Sequence, residues 1–154
     1  MAASEDSQTF YLAGMEQRAV AFILDVVLLV SFLAILFVFG GIQAIVRSDS
    51  GNEDLSDSVI VTWIAIILSW FVLVPLYYIA FWVWRGQTVG KIAVNIGVMR
   101  TNGEPLSLGT AVLRFVAFIA SMAPLFAGFF VAFFQNDRRA LHDLIADTVV
   151  IDLS

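Results

Sequence analysis

The chain has 154 residues, of which 60% are hydrophobic and 14% charged, and its mean hydropathy is +0.92. Soluble domains carry about 25% charged residues, so this composition points to a bilayer and leaves no length for a separate soluble domain. A formal net charge of -5 argues against a nucleic-acid partner, and the absence of cysteine excludes disulfides, thiol catalysis and cysteine-ligated metals.

Residues 1–17 include Glu5, Asp6 and Glu16 and no basic residue. A signal peptide needs a positive n-region and a shorter apolar core, so the following run reads as a permanent span behind a cytoplasmic tail. That first block, 19–46, is opened by Arg18 and holds Asp25 two turns deeper. On a helix the two positions share a face, roughly 10 Å apart along the axis. An ionised group at bilayer depth costs about 2.5 to 3.5 kcal/mol and persists only with a partner, a water path or a task. Two readings stand at this point. In one, Arg18 snorkels to the headgroups while Asp25 makes an interhelical hydrogen bond, with Arg114 an alternative partner. In the other, Asp25 holds a monovalent cation or proton against the countercharge of Arg18 or Arg114.

The next loop carries Asp49, Glu53, Asp54 and Asp57 against Arg47, without the ligand spacing of a calcium hand. A second apolar block spans 59–84 and is followed by Arg85, Lys91 and Arg100, which place that loop and the N-terminus in the cytoplasm. Trp82 and Trp84 fit the inner aromatic belt, and Trp63 the outer one. The stretch Gly86-Gln-Thr-Val-Gly-Lys91 is one residue short of a phosphate loop and has Ile92 where Ser or Thr would bind magnesium. It reads as a tight turn with Lys91 near lipid phosphates. Residues 91–99 are rich in β-branched side chains, Thr101-Asn-Gly-Glu104 is a turn signal, and Thr148-Val-Val-Ile151 offers a matching segment. The two segments form a small cytoplasmic sheet only if both lie on one side of the membrane.

A third block, 108–134, would as a single span export Arg138 and Arg139, against the positive-inside rule. Pro124 and Gly128 divide it into 108–123 and 125–134, lengths that suit a re-entrant or interfacial helical hairpin, with an unbroken third span as the alternative. His142 is the lone histidine, so no typical zinc or iron site is expected; it reads as structural, beside Asp143, and titratable if water reaches it. No nucleophile, metal set or suitably spaced carboxylate pair stands out, so neither an enzyme nor a cofactor is expected. The expected fold is an all-α membrane protein: two transmembrane helices, a Pro-broken third helical block and a small cytoplasmic β element. The membrane domain covers 18–151, with 152–154 as its C-terminal end.

Arg18, Asp25, the Gly86–Lys91 motif, Asn102-Gly103, Arg114 and Leu141-His-Asp-Leu-Ile-Ala-Asp-Thr-Val-Val150 together resemble the RDD family of mostly bacterial membrane proteins. The likeness runs from about Ala13 to Ile151. The arginine and two aspartates that name the family match Arg18, Asp25 and Asp143. Asp147 stands where the family more often has glycine, and Ile92 where a second basic residue commonly follows the lysine. The resemblance implies a polytopic protein of the cytoplasmic (inner) membrane, with transport and cation/proton antiport suggested for some members. On this reading Arg18, Asp25 and Arg114 form a polar centre to which His142 and Asp143 couple the cytoplasmic end. Two or three spans enclose little volume, so a path would run between subunits of a homo-oligomer or against another membrane protein. The alternative is an accessory or assembly subunit whose arginine and aspartates lock the fold.

Overall fold

The computed structural model describes residues 11–48, 55–122 and 139–154. Two long helices dominate it, α1 (Met15–Ser48) and α2 (Leu55–Arg85), and both contain runs long and apolar enough to cross a membrane. Side chains such as Val38, Phe39, Phe71 and Val72 are exposed on them. A helix that is apolar on every side and uncovered by protein is matched to lipid.

The ends of these helices are set by local chemistry. At the start of α1, the Gly14 N–H donates to Gln17 Oε1 at 2.8 Å, while Gln17 Nε2 donates to Asp152 Oδ2 at 3.0 Å, tying the first turn to the C-terminal segment. Pro75 removes one backbone donor inside α2. That helix stops at Gly86, whose φ of 66° lets its N–H reach the Trp82 carbonyl at 3.0 Å in a left-handed cap. A Cβ at Gly86 would lie 2.6 Å from the Val98 carbonyl oxygen, so glycine is needed there for space as well as for φ.

The remaining elements are short: α3 (Val89–Ala93), β1 (Ile96–Arg100), α4 (Leu108–Met122), α5 (Leu141–Ile145) and β2 (Thr148–Asp152). The strand expected over 91–99 is therefore corrected at its start. Residues 89–93 are helical because the Thr88 and Gly90 donors are drawn to a carboxylate on α1, which overrides β-branched propensity. Strands β1 and β2 pair antiparallel with Val98 opposite Val150, as the matching segments led one to expect. Thr101–Glu104 forms the anticipated turn, with Gly103 at φ 84° and the Arg100 N–H on the Glu104 carbonyl. Leu12 bridges to Ile151 on the other side of β2.

The two short helices repeat one pattern. Each is preceded by an extended residue, Thr88 or Ala140, and runs for five residues. Each then turns through a residue at positive φ, Asn95 at 54° or Asp147 at 48°, into a five-residue strand. Helix α3 packs on α1, and α5 packs on α4. The core lies where this cap closes over the ends of α1, α2 and α4 and includes Ala21, Tyr78, Trp82, Ile96, Val98, Phe115 and Val150. Helix α4 is described to Met122; the break expected at Pro124 and Gly128, and most of the acidic loop before α2, lie outside the described residues.

Candidate functional site

Two buried carboxylates organise the capped end. Asp25 is 2% exposed. Its Oδ1 accepts from the Tyr77 hydroxyl at 2.7 Å and the Gly90 N–H at 2.7 Å, and its Oδ2 accepts from the Thr88 hydroxyl at 2.6 Å. The Tyr77 oxygen in turn accepts from the Val89 N–H at 3.1 Å. Asp25 thus caps the first turn of α3 from a neighbouring helix, where exposed amides favour negative charge. Neither arginine supplies its hydrogen bonds, which corrects the expectation that Arg18 or Arg114 is its countercharge. Neutral donors suffice because the start of α3 brings two of them, and Tyr77 of α2 a third, to one point.

This arrangement requires the backbones of α1 and α3 to touch. A Cβ at Gly90 would collide with the Ala21 carbonyl oxygen and sit 2.9 Å from Asp25 Oδ1. In Gly90→Ala the gain in helix propensity is about 1 kcal/mol. Overpacking against a backbone atom that cannot rotate away costs about 1 to 3 kcal/mol, to which a weakened Asp25 bond adds. The clash is expected to win, and thermal unfolding in detergent should show a lower Tm; an unchanged Tm would mean that the two backbones are not in contact.

Asp143 is fully buried and takes both arginines instead. Arg114 Nη2 lies 2.5 Å from Oδ1 and Arg18 Nη1 lies 3.0 Å from Oδ2. The Ala140 N–H donates to the same Oδ2 at 3.1 Å, so Asp143 also caps its own helix. Arg114 donates further to the Thr148 hydroxyl, and Arg18 to the Val150 carbonyl at 3.3 Å. One carboxylate therefore joins α1, α4, α5 and β2. Burial pushes the Asp143 carboxyl up, but the basic groups around it, Arg114 foremost, outweigh it and hold it well below the usual carboxylate range.

His142 Nε2 lies 3.6 Å from Asp143 Oδ1, and its ring meets Phe118 edge-on at 5.5 Å. Burial pushes its pKa down to about 3, although Asp143 acts in the opposite direction. The imidazole is neutral in the fold and titrates near 6.5 once unfolded, so the unfolded chain takes up the proton first. His142 therefore contributes stability that is full above about pH 6.5 and is lost as pH falls toward 3, about 2 kcal/mol of it between pH 7 and pH 5. Denaturant unfolding across that range should show the decline, and His142→Gln should flatten it.

Trp82 is 3% exposed, which corrects its expected place in the aromatic belt; Trp84, at 75%, is free for that role. The Trp82 ring lies 5.2 Å from the Arg114 guanidinium carbon and 5.7 Å from Lys91 Nζ. Lys91 is thus turned toward the protein rather than toward lipid phosphates. Burial, followed by repulsion from Arg114, pushes its pKa down to about 7. These side chains surround a cavity of about 600 Å³ that also reaches Glu16, Phe22, Asp25 and Tyr78. The five sequence-derived candidates, Arg18, Asp25, Arg114, His142 and Asp143, all line it. Sequence reasoning missed Tyr77, Thr88, Gly90 and Thr148 as partners and misplaced Lys91 and Trp82. The available signal was a hydroxyl, a glycine and a lysine packed into Gln87-Thr-Val-Gly-Lys91 directly after a span.

The RDD family model matches residues 12–147. Three bacterial relatives are similar. Uncharacterized protein YckC of Bacillus subtilis (strain 168) is 30% identical over 104 residues, covering 64% of this chain and 64% of that protein. Uncharacterized protein RP437 of Rickettsia prowazekii (strain Madrid E) is 36% identical over 77 residues, 49% of this chain and 42% of that protein. Uncharacterized protein YxaI of Bacillus subtilis (strain 168) is 27% identical over 146 residues, 90% of this chain and 96% of that protein. The chain spans less than two thirds of the first two. No solved structure matches. The chain belongs to the RDD family, and with two helices of membrane-spanning length it is a membrane protein.

Proposed function

We propose that this protein is a transport protein, or a component of a transporter, of the bacterial cytoplasmic membrane, with the cavity between α1, α2, α4 and α5 as its solute site. The observation that carries this reading is the cavity itself: about 600 Å³ of space walled by Arg18, Lys91, Arg114, His142 and Asp143. That volume lies in the range of ligand sites, roughly 300 to 1,000 Å³. A polar centre that served only to lock helices together would close on itself. The capped end and the N-terminus face the cytoplasm in this reading, which the basic residues Arg85, Lys91, Arg100 and Arg139 support. The start of α4 and the segment from α5 onward lie on one side of the membrane, a placement supported by the pairing of β1 with β2. Lys91, rather than the fully hydrogen-bonded Asp25, is the group suited to exchange a proton during the cycle. The transporting unit is a homo-oligomer or includes another membrane subunit.

Purified protein reconstituted into proteoliposomes with an internal pH dye should pass protons in response to sodium, potassium or carboxylate gradients, above protein-free vesicles. Lys91→Met should abolish that flux. Absence of flux from folded protein under every gradient would end the transport reading.

The saturation of Asp25 and Asp143 by internal donors favours a second reading, a non-catalytic accessory or assembly subunit. Recovery from native membranes in mild detergent with a stoichiometric partner, and inactivity alone, would support it. Recovery as an active homo-oligomer would exclude it.

A further inference from the structure

Among the described residues, several donors around the cavity lack an acceptor. Among the described residues the Lys91 ammonium has no ion-pair partner or hydrogen-bond acceptor; its close contact is the Trp82 ring face at 5.7 Å. The buried indole N–H of Trp82 and the Nε of Arg114 likewise have no acceptor among the described residues. The nearby carboxylates are already engaged. Asp143 holds Arg18, Arg114 and the Ala140 N–H, and Asp25 holds Tyr77, Thr88 and Gly90. Glu16, which also lines the cavity, is exposed, so solvent screens its charge. A half-buried cation, a buried N–H and a buried guanidinium N–H without acceptors call for a ligand group that only accepts, and a carboxylate or phosphate is such a group.

The rest of the wall sets the remainder of the ligand. Met15, Ala19 and Phe22, none of them fully buried, bring apolar surface to the same space. A bare inorganic anion there would lose its hydration over much of its surface without replacement. A hydrocarbon portion removes that apolar wall from water, at about 25 cal/mol per Å². We propose that the cavity binds an anionic amphiphile, its carboxylate or phosphate against Lys91, Trp82 and Arg114 and its hydrocarbon portion along Met15, Ala19 and Phe22 of α1. This deepens the transport reading and rests on the cavity being the solute site.

The test is calorimetric titration of the intact protein in a neutral maltoside detergent with four probes: oleate, lysophosphatidylglycerol, monoolein and inorganic phosphate. Saturable binding of oleate or lysophosphatidylglycerol is expected, and their relative affinities identify carboxylate or phosphate as the preferred head. Monoolein, which has the tail without the charge, should bind about tenfold more weakly or less, the weight of one charge-assisted hydrogen bond. Phosphate alone should bind more weakly still. Lys91→Met should weaken the anionic probes by about tenfold or more, and Lys91→Arg should restore most of that loss. Equal affinity for monoolein, tight binding of phosphate alone, or unchanged affinity in a folded Lys91→Met protein would each overturn the proposal. If Lys91→Met does not fold, Trp82→Phe decides: it keeps the ring and deletes the N–H, so a few-fold loss confined to the anionic probes supports the site, and no change overturns it. Binding without flux in proteoliposomes would retain this ligand and reject transport; flux without binding would do the reverse.

Discussion

Asp143→Asn should destabilise the folded protein by about 3 to 5 kcal/mol, the usual cost of removing one partner from a buried ion pair. Arg114 is 1% exposed and Arg18 is mostly buried, so both would keep their charge with no carboxylate between them. The amide can still accept a hydrogen bond but cannot neutralise either guanidinium. Denaturant unfolding in detergent measures the loss, and a double-mutant cycle apportions it. Arg114→Met with Asp143→Leu removes the closer pair together and should recover much of the deficit, because apolar replacement of a whole buried pair is often near neutral. Asp143→Asn with native stability and no flux would instead place Asp143 in the transport cycle.

At Asp25 two substitutions should separate a cap from an ion site. Asp25→Leu leaves the Tyr77 hydroxyl, the Thr88 hydroxyl and the Gly90 N–H without their acceptor, at about 1 to 3 kcal/mol for each group that water does not reach. A loss of about 3 kcal/mol or more is expected, seen as a large drop in Tm and in folded yield. Asp25→Asn keeps an acceptor for Tyr77 and Gly90 and turns its amide N–H toward Thr88, whose hydroxyl can rotate to accept. Its cost should be about 1 kcal/mol, and flux should survive. A stable Asp25→Asn protein without flux would return Asp25 to the role of ion-binding carboxylate.

The long elements were legible in the sequence because apolar length is a one-dimensional property. Two runs that exceed the thickness of a bilayer admit few alternatives. Strand pairing was legible in outline because residues 96–100 and 148–151 share β-branched content. The start of β1 was not, because α3 exists through a carboxylate sixty-odd positions earlier in the chain, a tertiary cause that local propensity cannot register. That Arg18, Asp25, Arg114, His142 and Asp143 share one cavity was legible from charge inside apolar surroundings. Their pairing was not. Arg18 and Asp25 share a helical face, which invites pairing along one helix, whereas the guanidiniums turn outward to Asp143 from another segment. The hydroxyls of Tyr77, Thr88 and Thr148 were invisible because a hydroxyl on an apolar helix or in a turn commonly needs no partner beyond its own backbone.

The repeated helix, turn and strand of the cap also bears on why one chain, rather than two copies of half a chain, builds this centre. With Val98 opposite Val150 at the midpoint of an antiparallel pair, the two strands are related by a local twofold axis through that pair, and the two units share the same residue spacing about it. Under this relation Lys91, in the first turn of one short helix, corresponds to Asp143 in the first turn of the other. A self-complementary dimer of a single unit would have to place the same residue at both positions, giving two lysines or two aspartates across the axis. A single chain is released from that constraint and sets opposite charges at equivalent places, so the cavity has a donor-rich side that strict symmetry would forbid.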